Sequence, residues 1–240
     1  MKKIKIVLVV LLLIIGIETV ILYNKTEDDI KQSKEVVLNN DITKFSKEYE
    51  SYNAEMLYNH EVLDVEINKD AQIYITSAED VIEVLKNEKA LIYFGFSTCP
   101  WCRNMIEPLV EASIEKNEPI YYVDILKIRN TYTLKDGKVE ENKKGTDAYY
   151  DLLKYLDDVL ENYIITDTDN NTYDTKTKRI YGPSIVTVNS GNIVDFKSGT
   201  LEEIEDPYTR LNEKQYNELL TEYKNMINNL NSPTCGGDVC

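Results

Sequence analysis

The chain has 240 residues, enough for one sizeable core with extensions at its ends, and carries 42 acidic against 27 basic side chains, a formal net charge of −15. That balance argues against nucleic acid as a partner, because phosphate binding needs clustered cations. It reads instead as a solvated, soluble surface.

The first 25 residues differ from the rest. Lys2, Lys3 and Lys5 precede an apolar stretch from Ile6 to Tyr23, broken only by Gly16, Glu18 and Thr19. As a helix it would be about 27 Å long, just enough to span a bilayer. No small-residue cleavage site follows, so an uncleaved signal anchor is expected, with a cleaved signal peptide as the alternative. The lysines stay inside, which puts residues 26–240 on the extracytoplasmic side, where disulfides are permitted. Residues 26–53 are polar, with Ile30, Val37, Ile42, Phe45, Tyr49 and Tyr52 at helical spacing, and read as a helical stalk or linker.

A globular domain is expected over 54–231. "EVLDVEI" (61–67) and "QIYIT" (72–76) read as strands. Ser77 suits a helix N-cap, with the helix running to Lys86. "ALIYFGF" (90–96) is a continuous apolar run, as in a strand buried on both faces. A helix to about Lys116, with Pro108 as a kink, and the strand "PIYYVDIL" (119–126) complete an α/β unit with parallel pairing. Residues 127–180 read as an insertion, with an Asp136-Gly137 hairpin turn and an amphipathic helix over 145–163. "DTDNNTYDTKTK" (167–178) superficially resembles a calcium loop. It has Thr172 where that loop needs glycine and Lys178 where it needs glutamate, so a hairpin or loop is expected. "GPSIVTVNSGNIVDFKSG" (182–199) reads as an antiparallel hairpin about Ser190-Gly191, and Asn212 caps a last helix to Leu230. Residues 232–240 form a tail bearing Cys235 and Cys240.

The chemistry centres on Cys99-Pro100-Trp101-Cys102, between a buried strand and a helix. Cys99 falls at the helix N-cap, where unpaired N–H groups and the positive end of the dipole stabilise a thiolate. Pro100 suits the first helical position. One turn of helix brings Cys102 back beside Cys99, so the first sulfur can attack a partner while the second resolves the mixed disulfide. Cys99 is thus expected to be the exposed nucleophile and Cys102 the shielded thiol. Zinc fits poorly: the second cysteine pair has the wrong spacing and His60, expected at the surface, is the only histidine. A structural disulfide is the other bland account. Arg103 would either stabilise the thiolate or be solvated. Cys235 and Cys240 would form a small structural loop or act as a relay that exchanges with Cys99.

Strand, Cys-x-x-Cys, helix, strand, then Pro183 opening a hairpin before a last helix resembles the thioredoxin-like family over roughly residues 77–126 and 180–230. "YFGFSTCPWCRNMIEP", the insertion and the Cys-bearing tail are similar to secreted or membrane-anchored thioredoxin-like proteins of Gram-positive bacteria, some labelled bacteriocin transport accessory proteins. The resemblance implies an α/β thioredoxin-like fold, a central mixed sheet flanked by helices. It implies that Pro183 is cis beside the cysteines, and that Pro183, Gly182, Pro100 and Trp101 shape a substrate-binding surface. A buried acid that thioredoxins often keep six residues before the first cysteine is replaced by Tyr93, and Pro-Trp between the cysteines suggests a more oxidising couple than thioredoxin's.

The expected function is that of a membrane-anchored, extracytoplasmic thiol–disulfide oxidoreductase. It would act on cysteines of exported proteins or peptides, exchange electrons with a membrane redox partner, and need no cofactor beyond its own cysteines. The alternative class is a non-catalytic accessory module that holds an exported peptide or a transporter.

Overall fold

The computed structural model describes residues 40–57 and 59–232. In chain order these form helix α1 (Ile42–Glu50), the short strands β1 (Met56–Leu57) and β2 (His60–Glu61), strand β3 (Ile73–Ile75), helix α2 (Ala78–Asn87) and strand β4 (Lys89–Gly95). Helix α3 (Pro100–Lys116), strand β5 (Ile120–Asp124) and the single turn α4 (Ile125–Ile128) follow. Next come the hairpin β6 (Thr131–Lys135) and β7 (Lys138–Lys143), helix α5 (Asp147–Tyr155), a 3-10 turn (Asp157–Val159), and the hairpin β8 (Asn162–Thr166) and β9 (Thr172–Lys178). Strands β10 (Ser184–Asn189) and β11 (Asn192–Ser198) and helix α6 (Glu213–Asn231) complete the described chain.

Five strands make one mixed sheet in the order β11-β10-β4-β5-β3. β5 pairs parallel with both β4 and β3, while β10 is antiparallel to β4 and β11. The central strand β4 explains the unbroken apolar run in the sequence: Leu91 and Tyr93 enter the core on one face, Ala90, Ile92 and Phe94 the core on the other. Helices α1, α3 and α6 cover the first face, and α2 and α5 the second. Each Leu, Ile or Phe fully buried there contributes about 1.5–3 kcal/mol.

Helix starts follow local chemistry. Ser77 Oγ accepts the Asp80 N–H at 3.1 Å, Thr146 Oγ1 accepts the Tyr149 N–H at 3.2 Å, and Asn212 forms a reciprocal capping box with Gln215. Helix α3 runs through Pro108 to Lys116 and ends at Asn117, whose φ of 50° is left-handed.

Three expectations are corrected. Of the 61–67 segment only Glu61 lies in a strand, as the second residue of β2, which pairs with β1. Val62, Val65 and Ile67 are buried, which accounts for the alternation. Beyond β2 the Val62 N–H donates to the Glu55 carbonyl at 3.1 Å, and side chains take later donors: Val65 N–H donates to Asn53 Oδ1 at 3.0 Å, and Ile67 N–H to Glu50 Oε1 at 3.0 Å. Alternation reports a buried face, not a ladder partner. Second, the end of the supposed stalk belongs to the domain, because α1 buries Phe45 and Tyr49 completely in the first core. Asn40 and Asp41, just before α1, fasten it to β3: Ile73 N–H donates to Asn40 Oδ1 at 3.1 Å and Ile75 N–H to Asp41 Oδ2 at 3.1 Å. Third, the helix expected over 145–163 stops at Tyr155. Leu156 and Leu160 stay buried through the 3-10 turn, which prolongs the apolar periodicity after the helix has ended. This helix is also no appendage, since Ala148, Tyr149, Leu152 and Leu153 close the second core.

The anchor reading of residues 1–25 and the tail cysteines Cys235 and Cys240 lie outside the described residues. Among the described residues, no helix is long and apolar enough to cross a membrane.

Candidate functional site

Strand β4 ends at Gly95, and Phe96, Ser97 and Thr98 carry the chain to the start of α3. Cys99 is the N-cap of that helix, with Pro100 at its first position. The Cys99 Sγ accepts the Cys102 N–H at 3.3 Å and donates to the Gly182 carbonyl at 3.2 Å. Both cysteines are free thiols. Cys99 is only 4% exposed and Cys102 not at all. The expectation of an exposed Cys99 is therefore corrected: the Gly182 carbonyl lies against the sulfur and leaves it a narrow opening.

The two thiols differ electrostatically. Hydrogen bonding from Cys102 holds the Cys99 thiol below its ordinary range against the opposing effect of burial, helped by the Cys102 N–H, the positive charge of Arg129 and the Trp101 N–H. Burial pushes the Cys102 thiol well up, and its neighbour Cys99 pushes it further, while Tyr93 opposes the shift. One sulfur is set to carry charge and the other to keep its proton.

The Gly182–Pro183 peptide is cis. A Cβ on Gly182 would lie 3.0 Å from Phe96 Cε1 and 3.2 Å from Cys102 Sγ, so the absence of a side chain lets this loop close on the couple. Trp101, Tyr181, Gly182, Pro183, Leu201 and Ile204 line part of an open groove of about 390 Å³ beside the couple. A wider depression of about 790 Å³ between Glu50 and Lys69 includes neither cysteine.

Arg103 does neither of the things expected of it. It is 2% exposed, and its guanidinium binds the protein instead of the thiolate. Nε donates to Leu63 O at 2.7 Å, Nη1 to Tyr49 O at 2.8 Å and to Ser97 O at 3.1 Å, and Nη2 to Asn53 Oδ1 at 2.6 Å. It ties α1 and the loop after it to the motif. The charge that acts on Cys99 is Arg129, whose guanidinium carbon lies 4.9 Å from the Phe96 ring centroid. His60 is exposed and stacks on Tyr208 with ring centroids 4.2 Å apart.

Beneath Cys102 lie three buried tyrosines. Tyr93 opposes the upward shift of the Cys102 thiol, and its hydroxyl is 2.8 Å from that of Tyr49. Tyr122 packs against both, with centroids 5.5 Å from Tyr93 and 6.3 Å from Tyr49. Tyr49, Tyr122 and Arg129 carry no motif in the sequence. Only Tyr93, two residues before a glycine and six before Cys99 on a strand already assigned, could be singled out there.

The arrangement can do two-electron thiol–disulfide chemistry beside an open groove. No family model, no curated protein and no solved structure matches this chain.

Proposed function

We propose that the chain is a thiol–disulfide oxidoreductase on a thioredoxin-like fold, acting on cysteines of exported proteins or peptides. The observation that carries the reading is the asymmetry of the pair. Cys99 sits at a helix N-cap with its sulfur accepting the Cys102 N–H, its thiol favoured toward ionisation, and Cys102 is sealed beneath it as a neutral thiol. The mixed sheet, the helix after the first cysteine and the cis Gly182–Pro183 peptide against the couple support the fold assignment.

In the reaction, the Cys99 thiolate attacks a substrate disulfide. A Cys99–substrate disulfide forms and the substrate's other sulfur leaves with the electron pair. Cys102 then attacks Cys99, forming the Cys99–Cys102 disulfide and releasing the second substrate sulfur. Run backwards, the same steps oxidise a substrate dithiol. The substrate chain lies in the groove along Trp101, Pro183 and Leu201. Placement outside the membrane rests on the Lys2-Lys3-Lys5 pattern before the apolar stretch.

The test is insulin reduction by the full chain with dithiothreitol, together with Trp101 emission across a redox titration. Turnover that Cys99→Ser abolishes, and an emission change with a defined midpoint, support the reading. If insulin reduction and emission are both indifferent to dithiol treatment, the enzyme reading fails and a peptide-holding accessory module takes its place. The midpoint itself gives the reduction potential, and a value above thioredoxin's assigns the protein to the oxidising side.

A further inference from the structure

Two arginines near the couple lack counter-ions. Arg129 follows the turn α4, and its N–H donates to the Ile125 carbonyl at 3.0 Å. Arg179 follows β9, and its N–H donates to the Glu161 carbonyl at 3.1 Å, one step beyond the β8–β9 ladder. Arg179 is 5% exposed and Arg129 is half-buried. A buried cation is costly unless an anion pairs with it. Among the described residues, every ion pair uses another cation. Glu141, whose Oε1 accepts from Asn130 Nδ2 and from the Tyr150 hydroxyl at 3.0 Å each, pairs with neither arginine. Arg129 Nε and Arg179 Nη1 are buried and make no hydrogen bond to any described residue.

Aromatic rings hold both guanidiniums. The guanidinium carbon of Arg129 lies over the Phe96 ring, 4.9 Å from its centroid, and that of Arg179 over the Tyr163 ring at 3.8 Å. Arg179 Nη2 donates to the carbonyl of Asn130, the residue after Arg129, at 3.2 Å, which ties the two segments together. A contact through a ring face leaves the in-plane N–H fork of a guanidinium free for an acceptor. Both rings abut the cis loop. Phe96 Cε1 is 3.0 Å from where a Gly182 Cβ would stand, and Tyr163 and Tyr181 have ring centroids 6.0 Å apart. Phe96, Tyr163 and Tyr181 are all half-buried, so the region opens to the surface. It lies on the side of the second core, where Ile128 and Ile180, the chain neighbours of the two arginines, are packed. Trp101, Leu201 and Ile204 of the groove pack on the first core.

We propose that Arg129 and Arg179 form a carboxylate-binding subsite beside Cys99, which selects substrates carrying an acidic group close in sequence to the reacting cysteine. The inference rests on the oxidoreductase reading and names its substrate class. A chain crossing the cis loop meets the groove on one side of Cys99 and the arginines on the other, so an apolar and an acidic residue bracket its cysteine. A carboxylate suits the site because its two coplanar oxygens accept two parallel N–H bonds from one guanidinium fork. It also relieves an electrostatic burden. Burial, and after it the charge of Arg179, lowers the Arg129 guanidinium below its ordinary range, and an anion between them favours the charged form of both.

The test uses the reduced full chain with Cys235 and Cys240 replaced by serine. Its substrates are short peptides, acetylated and amidated, whose central cysteine carries a 2-thiopyridyl disulfide. The Cys99 thiolate attacks the peptide sulfur and forms a Cys99–peptide disulfide. The 2-thiopyridone leaves with the electron pair of the broken bond, takes up a proton and is followed by stopped-flow absorbance. Glutamate is placed singly at each position flanking the cysteine and compared with glutamine at the same position. Salt of about 0.1 M screens the repulsion from a net charge of −15. On one side of the cysteine the glutamate peptide is expected to react about tenfold faster, the weight of a single charge-assisted hydrogen bond. Arg179→Gln and Arg129→Gln should each bring that ratio to within about twofold of one. The ratio is the readout because Arg129 also acts on Cys99, and because a merely structural loss slows both peptides alike. An acid-free peptide with an unblocked C-terminal carboxylate separates the two sources of the group: acceleration by it alone assigns the subsite to chain ends, and acceleration by glutamate alone to acidic side chains. Should either variant fail to fold, the wild-type comparison of peptides still decides. A ratio within about twofold of one at every position, with no gain from the free carboxylate, overturns the subsite, as does a ratio that survives in both folded variants. Release from the glutamine peptides leaves the oxidoreductase reading standing in those cases. If wild type releases no thiopyridone from any peptide, the oxidoreductase reading falls and takes the subsite with it.

Discussion

Replacing Arg103 with methionine keeps the length and apolar stem of the side chain and deletes its donors. Four hydrogen bonds disappear, to Leu63 O, Tyr49 O, Ser97 O and Asn53 Oδ1, with lengths from 2.6 to 3.1 Å. A hydrogen bond to a charged group contributes about 1.5–3 kcal/mol taken singly. Against this, the variant no longer buries an ion, a cost of several kcal/mol in the native protein. Asn53 keeps both of its bonds to Val65. The acceptors in the loop after α1 can turn to water, and Tyr49 O keeps the Tyr52 N–H at 3.4 Å, whereas the buried Ser97 carbonyl is left unpaired. The expected net loss is about 2–4 kcal/mol. For a domain of this size that is a fall in Tm of about 5–15 °C. Urea unfolding followed by Trp101 emission and circular dichroism measures it, and the midpoint should drop while the slope stays constant. Arg103→Lys supplies one ammonium for four acceptors and should recover less than half of the loss. A loss below about 1 kcal/mol for Arg103→Met would refute the argument that this guanidinium fastens α1 and its loop to helix α3.

Cys102→Ser should accumulate a mixed disulfide between Cys99 and a substrate peptide, visible by mass on non-reducing gels, whereas Cys99→Ser should accumulate none. Iodoacetamide should alkylate Cys99 with a midpoint below the ordinary thiol range, and Arg129→Gln should move that midpoint upward by removing a favourable charge. Because the folded pKa is the lower one, the stability that Cys99 contributes is complete above the ordinary thiol range. It declines as pH falls through the folded value, so the stability gap between reduced wild type and Cys99→Ser should narrow with acidification. Gly182→Val places a Cβ 3.0 Å from Phe96 and 3.2 Å from Cys102 and should cost about 1–3 kcal/mol, read by urea unfolding, with slower attack by Cys99 on 5,5′-dithiobis(2-nitrobenzoic acid).

The couple and its scaffold were legible because their signals are local. An apolar run, a cysteine at a helix start, a proline at the first helical position and Ser77 and Asn212 as caps each carry their meaning within a few residues. What the sequence hid was non-local. Arg103 is written like a solvated surface charge, and only three carbonyls and an amide that meet in space make it a buried clamp. Helical spacing makes Tyr49 one position on a stalk, since it shows that a face is apolar and not what the face covers. The 61–67 segment has strand-like alternation, yet its Val65, Glu66 and Ile67 N–H groups donate to Asn53, Glu107 and Glu50 side chains. Arg129 reaches the site only because the turn α4 returns the chain toward Phe96.

The fastening of Asn40 and Asp41 to β3 has a consequence for association between molecules. β3 is the outermost strand on its side of the sheet, and an outermost strand with free donors is a template for pairing with another chain. Here the Ile73 and Ile75 N–H groups are occupied by side chains from outside the sheet, and the Ile73 carbonyl accepts the Asp41 N–H at 2.7 Å. Two residues thus act as a guard rail along that border. A chain shortened to begin at Ile42 would keep every described helix and the Cys99–Cys102 pair, yet it would present a bare strand to its neighbours and self-associate through it.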